Sequence, residues 1–359
     1  MKSSSECREL DEDQVRRAKP DRCPGAPIPF ARTSAFAPFV SFLDTIGAPT
    51  DRWLRQTGIP ASVLNDAEAL VPVYSAYRFA ELAVRQEHLE DLGMIVGQRT
   101  SSFELGTFGK TLQGVSTVHD YLQTGIRLMA ALSSGARLWL TSEHDTLRVN
   151  QYLKGPPGLG RCVADIYTLV VTINTLRRLI GSKWCPGEIR LLAGDEALLG
   201  NREVFGDSRL ITGQRHSSFT VSRSLTRLPI RAENAGVAQV DAGVPAVGAP
   251  MPEDFIGSIG QLIASLAAEG YPDIETAAEA AGMSTRTLQR RLAGAGTSYS
   301  ALSGAIRMHL AREWLAVTDM PVTDIAAALG YTDASNFARA FRRESSMSPR
   351  TYRQTRAPG

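Results

Sequence analysis

The sequence lacks the G-x-S-x-G, H-E-x-x-H and C-x-x-C motifs that mark common catalytic and metal-binding sites. Its 5 histidines are scattered, and no two stand four residues apart as metal ligands on one helix would. The 4 cysteines, Cys7, Cys23, Cys162 and Cys185, are also far apart, and we interpret them as reduced thiols of a cytoplasmic protein. These absences predict a protein that is not an enzyme and holds no cofactor or metal.

Long apolar runs are missing as well. No stretch approaches the roughly 20 apolar residues of a membrane span. The opening "MKSSSECRELDEDQVRRAK" has no apolar core of the kind found in secretory signals. The expectation is a chain that neither crosses a membrane nor is exported.

The segment "GTFGKT", Gly106 to Thr111, has only part of a phosphate-binding P-loop. The motif needs a glycine five residues before its second one, and Glu104 stands there. We therefore interpret this segment as a loop or the start of a helix.

Lysine is absent from Met283 to Gly359, although the whole chain has 39 Lys and Arg against 37 Asp and Glu. This stretch contains 11 arginines and 5 acidic residues, which leaves a net charge of +6. Such an arginine-rich end is typical of a surface that binds a polyanion. On charge alone, an ordinary solvated surface explains it equally well.

Composition and periodicity divide the chain into four parts. Residues 1–29 mix charge, proline and glycine and are predicted to be a disordered tail. Residues 30–230 alternate helical periods with short strand patterns, including a hairpin through "SEHD", and predict one α+β domain. Residues 231–252, rich in Ala, Gly, Val and Pro, predict a linker. The pattern of residues 253–356 predicts helices throughout.

Two segments after the predicted linker resemble each other. In "AEAAGMSTRTLQRRL" and "AAALGYTDASNFARAF", Gly282 aligns with Gly330. With one extra residue in the second turn, Leu288 aligns with Phe337 and Leu292 with Phe341. Each segment has the pattern of a helix, a tight glycine turn and a second helix. The sequence thus predicts helix-turn-helix units at about residues 274–293 and 322–345.

Each second helix has an apolar face and a polar face. The pairs Leu288/Leu292 and Phe337/Phe341 are predicted to face a core. The side chains predicted to point outward and to contact DNA bases are Arg286, Gln289, Arg290, Ser335, Asn336 and Arg339. Those predicted to contact phosphates are Ser284, Arg291, Thr332, Arg342 and Arg343.

The segment "YSALSGAIRMHLAREWLAV" lies between the two units. Leu302, Ile306, Leu310 and Trp314 recur every four residues and predict one helix of about 18 residues, roughly 27 Å long. Recognition helices held roughly 34 Å apart can enter successive major grooves of double-stranded DNA.

Residues 255–355 resemble the DNA-binding domain of the AraC/XylS family of bacterial transcription regulators. The matching stretches are "AGMSTRTLQRRL", "IRMHLAREWL", "PVTDIAAALGYTDASNFARAFRRE" and "SPRTYR". The resemblance implies the base-reading positions given above, and RNA polymerase as a partner. One departure is Met347, where the family usually has glycine; a left-handed conformation there would cost about 1 kcal/mol.

The N-terminal domain is similar to the large effector-binding domain of one branch of that family. The suggestive stretches are "APFVSFLDTIGAPTDRWLRQTGI", "FELGTFGKTLQGVSTVHDYLQTGIRLM" and "VFGDSRLITGQRHSSFTVSRSLTRLPI". The resemblance implies a small-molecule sensor, an activator and a possible homodimer, and it leaves the effector unknown.

Alternative interpretations stay open at this point. The N-terminal domain could only dimerise, without an effector, or it could be an enzyme fused to a DNA-binding domain, as in alkylation-repair proteins. Five arginines could clamp an anionic effector or could be surface or paired residues: Arg127, Arg148, Arg161, Arg177 and Arg178.

Overall fold

The computed structural model describes residues 25–200, 202–230, 250–267 and 270–356. They form two compact units. Among the described residues, the N-terminal unit comprises residues 29–53, 63–230 and 250–251, and the C-terminal unit comprises residues 25–28, 54–62 and those from 252 onward. Most of the predicted tail and linker, residues 1–24 and 231–249, lies outside the described residues.

The described elements before residue 231 combine helices with short, mostly antiparallel strands, in agreement with the predicted α+β class. In chain order they are β1 (Phe30–Arg32), α1 (Thr33–Thr45), α2 (Thr50–Thr57), β2 (Leu70–Pro72), α3 (Val73–Glu87), α4 (Leu92–Arg99), α5 (Gly106–Gln113), α6 (Val118–Leu132), β3 (Ala136–Glu143), β4 (Thr146–Leu153), α7 (Leu159–Ile180), β5 (Glu188–Arg190), β6 (Arg209–Ile211), β7 (Ser217–Ser222) and α8 (Arg223–Thr226). Segment "GTFGKT" forms most of α5, in agreement with its interpretation as a helix start.

The main sheet has five strands in the order β3-β4-β7-β5-β6, and β1 pairs with β2 in a separate sheet. The predicted hairpin is confirmed: β3 and β4 are antiparallel, with Glu143 opposite Thr146. His144 and Asp145 form the connection, and His144 has a positive φ of 43°. Strands β5 and β6 are parallel to each other, so the sheet is mixed.

Helix α7 is the central helix of the N-terminal unit. It is the helix, among the described residues, that is long and apolar enough to cross a membrane, but 61% of its most apolar stretch is buried inside the unit. Ile166, Leu169, Ile173 and Leu176 are at most 1% exposed. The pattern is that of a core helix, and the helix ends at Gly181 as predicted.

A buried carboxylate joins α7 to the main sheet. Gln151 on β4 donates from Nε2 to the Asp165 carbonyl at 2.7 Å and to Asp165 Oδ1 at 2.9 Å. The Ser217 hydroxyl on β7 donates to Asp165 Oδ2. Burial raises the pKa of Asp165 to about 6, although these hydrogen bonds oppose the shift.

The C-terminal unit is helical from residue 255 onward wherever a regular element is described. Its elements are α9 (Phe255–Leu266), α10 (Ile274–Ala280), α11 (Thr285–Gly294), α12 (Tyr299–Val317), α13 (Val322–Ala328), α14 (Ala334–Ser345) and α15 (Pro349–Arg356). This confirms the predicted all-α region with two helix-turn-helix units joined by a long helix.

The joining helix α12 has 19 residues, close to the predicted length. The sequence predicted an apolar i+4 stripe of Leu302, Ile306, Leu310 and Trp314 along this helix. The most buried side chains are instead Ala311 and Leu315, which are at most 1% exposed. Within that stripe Leu310 is buried, whereas Ile306 and Trp314 pack partly buried against the same core. Because α12 packs against several neighbouring helices, its buried face is broader than one stripe.

Candidate DNA interface

The first helix-turn-helix unit consists of α10 and α11. Asp273 begins α10 by accepting a hydrogen bond from the Thr276 amide at 2.8 Å. The turn contains Gly282 with a φ of 67°, a left-handed conformation that glycine adopts without steric cost. Ser284 then caps α11 by accepting from the Thr287 amide at 3.3 Å.

The second unit, α13 and α14, repeats this design. Its turn contains Gly330 with a φ of 73°. A side chain on Gly330 would place its Cβ 3.0 Å from the Cβ of Tyr271, so both conformation and space favour glycine. Asp333, rather than Thr332, caps α14, and it accepts from the Asn336 amide at 2.7 Å.

Both recognition helices are anchored as the sequence predicts. Leu288 and Leu292 of α11 and Phe337 and Phe341 of α14 are all 0% exposed. The predicted base-reading side chains lie on the opposite faces: Arg286, Gln289, Arg290, Ser335 and Arg339 are exposed, and Asn336 is half-buried. Each unit therefore presents hydrogen-bonding groups on a rigid helix.

On α14, Asn336 and Arg339 are hydrogen-bonded to each other. Asn336 donates from Nδ2 to Asp333 Oδ2 at 2.6 Å and to Thr332 Oγ1 at 3.1 Å. Its Oδ1 accepts from the Arg339 guanidinium at 2.5 Å. The side chains are therefore oriented in advance as a linked pair. The sequence did not lead us to predict this link, although a spacing of three residues places both on one helix face.

The predicted phosphate contacts fall into different surroundings. Arg342 and Arg343 are exposed in the last turn of α14. Ser284 and Thr332 are exposed at the start of α11 and α14, where both already take part in hydrogen bonds. Arg291 is half-buried: its guanidinium lies 3.8 Å from the ring centroid of Phe255 and donates to the Ala26 carbonyl.

A cation–π contact fixes the second turn to the long helix. The Arg307 guanidinium on α12 lies 4.1 Å from the ring centroid of Tyr271 and 5.1 Å from that of Tyr331. Tyr331 directly follows Gly330 and packs at 5.4 Å from Phe337. This stack ties α14 to α12 through side chains that are at least half-buried.

The left-handed residue after α14 is Ser346, not Met347. Ser346 has a φ of 62°, and among the described residues Met347 has no positive φ. The Ser346 amide closes the helix by donating to the Arg342 carbonyl at 2.9 Å. Methionine at position 347, where the family usually has glycine, therefore causes no left-handed strain. The free-energy cost of a left-handed residue with a Cβ falls on Ser346 instead.

Replacing Ser346 with glycine is expected to stabilise the C-terminal unit by about 1 kcal/mol, because glycine adopts this conformation without the steric cost of a Cβ. Urea denaturation of the full chain measures the change. Met347→Gly is the matched control and is expected to give no gain. An equal gain from both variants would contradict the assignment of the strain to Ser346.

Two models of known domain families match separate parts of the chain. Residues 277–355 match the model of a helix-turn-helix domain. Residues 47–230 match the model of the N-terminal arabinose-binding domain of AraC transcription regulators. The second match alone covers more than half of the chain.

Similar proteins include an ornithine utilization regulator from Pseudomonas aeruginosa, 26% identical over 73% of this chain and 78% of the relative. The transcriptional regulator VirS from Mycobacterium tuberculosis is 23% identical over 88% of this chain and 94% of the relative. The crystal structure of the regulator CdpR from Pseudomonas aeruginosa aligns over 89% of this chain and 98% of that chain, at 20% identity and a TM-score of 0.42.

The paired helix-turn-helix units, the two domain matches and the similar regulator sequences define a DNA-binding transcription regulator, not an enzyme. The chain belongs to the AraC family, in the branch with a large N-terminal arabinose-binding-type domain. Within the described residues, no group of three or more His, Cys, Asp or Glu side chains is placed to hold a metal ion.

Proposed function

We propose that the protein is a cytoplasmic, ligand-responsive transcription activator that reads two successive major grooves of its operator. The supporting observation is the pair of recognition helices, each with a buried apolar face and an outward face of Arg, Gln, Asn and Ser side chains. The 19-residue α12 between the units is roughly 28 Å long, which suits a groove-to-groove distance of roughly 34 Å.

The proposed base contacts are made by the exposed polar faces. Arginine bonds to the guanine edge, and asparagine or glutamine to the adenine edge, through two hydrogen bonds each. We assign these roles to Arg286, Gln289, Arg290, Ser335, Asn336 and Arg339. The proposed phosphate contacts are Ser284, Thr332, Arg342 and Arg343, with Arg291 included if its contact with Ala26 opens on DNA.

In this proposal the N-terminal unit senses a small molecule and changes DNA binding or activation. The match to an arabinose-binding domain supports a sensor, and a coupling of about 1–3 kcal/mol would give a 5- to 150-fold response. Contact with RNA polymerase and formation of a homodimer complete the proposed mode of action.

Base reading by Asn336 and Arg339 is tested with two single variants. Asn336→Ala or Arg339→Ala is expected to relax preference at a base position and to weaken binding to the preferred sequence by about 1–3 kcal/mol. Because the two side chains are bonded to each other, the double variant is expected to lose less than the sum of the singles. Selection of bound sequences from a random DNA pool, followed by affinity titration, measures both effects.

The comparison variant is Arg343→Ala, which removes a proposed phosphate contact. It is expected to weaken binding to all sequences alike and to lower the salt slope by about 1. Arg85→Ala is a charge-matched control, because that side chain is 66% exposed in the N-terminal unit. If Asn336→Ala and Arg339→Ala weaken binding to every DNA sequence equally, the base-reading assignment is wrong.

A further inference from the structure

The N-terminal unit contains a partly open cavity of about 130 Å³. Helices α1, α3, α5, α6 and α7 surround it, and strands β3 and β4 of the main sheet close one side. Its walls are mainly apolar, with Phe36, Phe39, Ile126, Met129, Val149 and Val171 among the lining side chains. A cavity with such walls favours apolar ligands, because moving apolar surface out of water into apolar surroundings is favourable.

Several polar groups on the wall are already hydrogen-bonded within the protein, and the buried Tyr167 hydroxyl on the same wall is an exception within the described residues. Thr168 and Thr172 of α7 donate to the carbonyls of Ala164 and Thr168, each at 2.9 Å. The Tyr77 hydroxyl donates to the Lys154 carbonyl at 3.2 Å. These groups leave few donors for a ligand that carries many hydroxyls.

One polar position can accept a single ligand group. The Tyr121 hydroxyl donates to Ser102 Oγ at 2.9 Å, and Thr175 Oγ1 lies 3.2 Å from the same oxygen. Tyr121 and Ser102 line the cavity. Because the Tyr121 proton is used, its oxygen can accept a hydrogen bond from one hydroxyl or N–H of a ligand.

Charged side chains do not line this cavity in the described part of the chain. The arginines considered as an anion clamp lie elsewhere. Arg148 pairs with Glu143 and Glu188, and Arg177 donates to the carbonyls of Trp184 and Val204. A charged ligand would lose its hydration here without gaining a partner, which is strongly unfavourable.

The presence of Gly125 in the middle of α6 is a further argument that the cavity is a ligand site. A helix-interior glycine costs about 1 kcal/mol relative to alanine. Gly125 has an ordinary negative φ, and a Cβ added there meets no heavy atom within 4 Å. Close packing therefore does not explain this glycine, which lines the cavity and keeps it open.

We propose that the effector is a small, uncharged, mainly apolar molecule that binds in this cavity with at most one or two hydrogen-bonding groups. An engineered cavity of about 150 Å³ holds benzene, so a ligand on the order of six to ten non-hydrogen atoms fits. This inference rests on the proposed ligand-responsive function and names its ligand class. It separates this chain from sensors of sugars or of charged amino acids, since each unpaired polar group of such a ligand would cost affinity.

The test uses thermal unfolding of the full chain with p-cresol, indole and 1-hexanol, and with L-arabinose and L-ornithine for comparison. At about 100 times its dissociation constant, a bound probe is expected to raise the Tm of the N-terminal unit by about 5–10 °C. The expected result is a rise with at least one of the three apolar probes and none with the sugar or the amino acid.

Gly125→Leu places a four-carbon side chain in the cavity. This variant is expected to unfold at a higher temperature than the parent chain and to show no further rise with the apolar probes. Gly114→Leu is the matched control, because Gly114 is exposed at the end of α5 with its nearest atom 3.7 Å from an added Cβ. It is expected to respond to the probes as the parent chain does.

Three outcomes overturn the inference: no rise with any apolar probe, a rise that persists in Gly125→Leu, or a rise with L-arabinose or L-ornithine that Gly125→Leu abolishes. The last outcome leaves the ligand-responsive function intact. Conversely, a probe that binds in the cavity but leaves operator affinity and transcription in vitro unchanged supports the cavity chemistry and contradicts the proposed ligand response.

Discussion

Replacing Phe341 with alanine is expected to destabilise the C-terminal unit by about 3–5 kcal/mol. The Phe341 side chain is 0% exposed, and its ring centroid lies 5.7 Å from Phe337 and 5.4 Å from Tyr352. The change removes the buried ring and leaves a cavity at the centre of the core that holds α12, α13, α14 and α15 together. Since domains are typically stable by only 5–15 kcal/mol, much of the unit's stability would be lost.

Denaturant titration of the full chain, followed by circular dichroism, measures this loss. Phe341→Leu keeps most of the apolar volume and is expected to cost clearly less. Arg342→Ala changes the adjacent exposed residue and is expected to stay within about 0.5 kcal/mol of the parent chain. A loss below about 1 kcal/mol for Phe341→Ala would show that this core does not hold the second unit.

The same variant separates folding from base reading. Phe341 lies on the buried face of α14, so its removal weakens binding to every DNA sequence by unfolding the recognition helix. Asn336→Ala leaves the buried face of α14 intact and, under the proposed base contact, is expected to change sequence preference instead. Different patterns of loss from two residues on one helix would distinguish the scaffold from the reading surface.

The helix-turn-helix units could be predicted from the sequence because their determinants are local. A glycine in the turn, a capping residue and two apolar residues four positions apart all fall within about 20 residues. Gly330 and Asp333 take the conformations that this pattern requires. The hairpin of β3 and β4 was predictable for the same reason, since a two-residue connection joins its strands.

The sheet order was not predictable from local pattern. Strand β7 pairs with β4 and β5, and β1 pairs with β2 across a gap of nearly 40 residues. Three-residue strands such as β5 and β6 have too little periodicity to indicate a partner. Their pairing depends on long-range packing that a single sequence does not reveal.

The cavity was hidden from sequence analysis for a related reason. Its walls come from five helices and from strands β1, β3 and β4, each contributing a few ordinary residues, most of them apolar. The exception is Gly125. A glycine inside a strong helical pattern is destabilising, so its presence indicates that the position has a packing or functional role. For Ser346, the shift by one residue from Met347 depends on where α14 ends, and helix ends are the least certain part of a sequence prediction.

An ion-pair cluster around the buried Arg148 guanidinium links strands β3, β4 and β5 of the main sheet. The Arg148 side chain is 5% exposed and lies 2.6 Å from Glu143 Oε1 and 2.9 Å from Glu188 Oε1. It also donates to Glu143 Oε2 at 2.9 Å. Burial alone would lower the pKa of Arg148, but the bonds to Glu143 and Glu188 outweigh burial and raise it. The bond from Arg148 lowers the pKa of Glu143.

Arg148→Met is expected to destabilise the N-terminal unit by about 1–3 kcal/mol. The substitution keeps an apolar stem but leaves Glu143 without its guanidinium and Glu188 with only the more exposed Arg190 and Arg209. Since Glu143 is 40% exposed, water compensates part of the loss, and the cost is smaller than that of breaking a fully buried pair. The loss is expected to shrink when pH falls into the range where Glu143 becomes protonated, because a neutral acid no longer needs the guanidinium. Urea denaturation at pH 7 and at pH 4 measures both values.

Arg190→Ala is the matched control for this cluster. Arg190 lies 3.0 Å from Glu188 Oε1, but its side chain is 41% exposed, so water replaces the lost contact and the expected cost is about 0–1 kcal/mol. Arg148→Lys tests the fork geometry: lysine keeps the charge but cannot bond both carboxylates in the same plane, so an intermediate loss is expected. Equal losses of stability from Arg148→Met and Arg190→Ala would contradict this explanation. Two arginines that contact the same carboxylate would then contribute equally, although one is buried and the other is exposed.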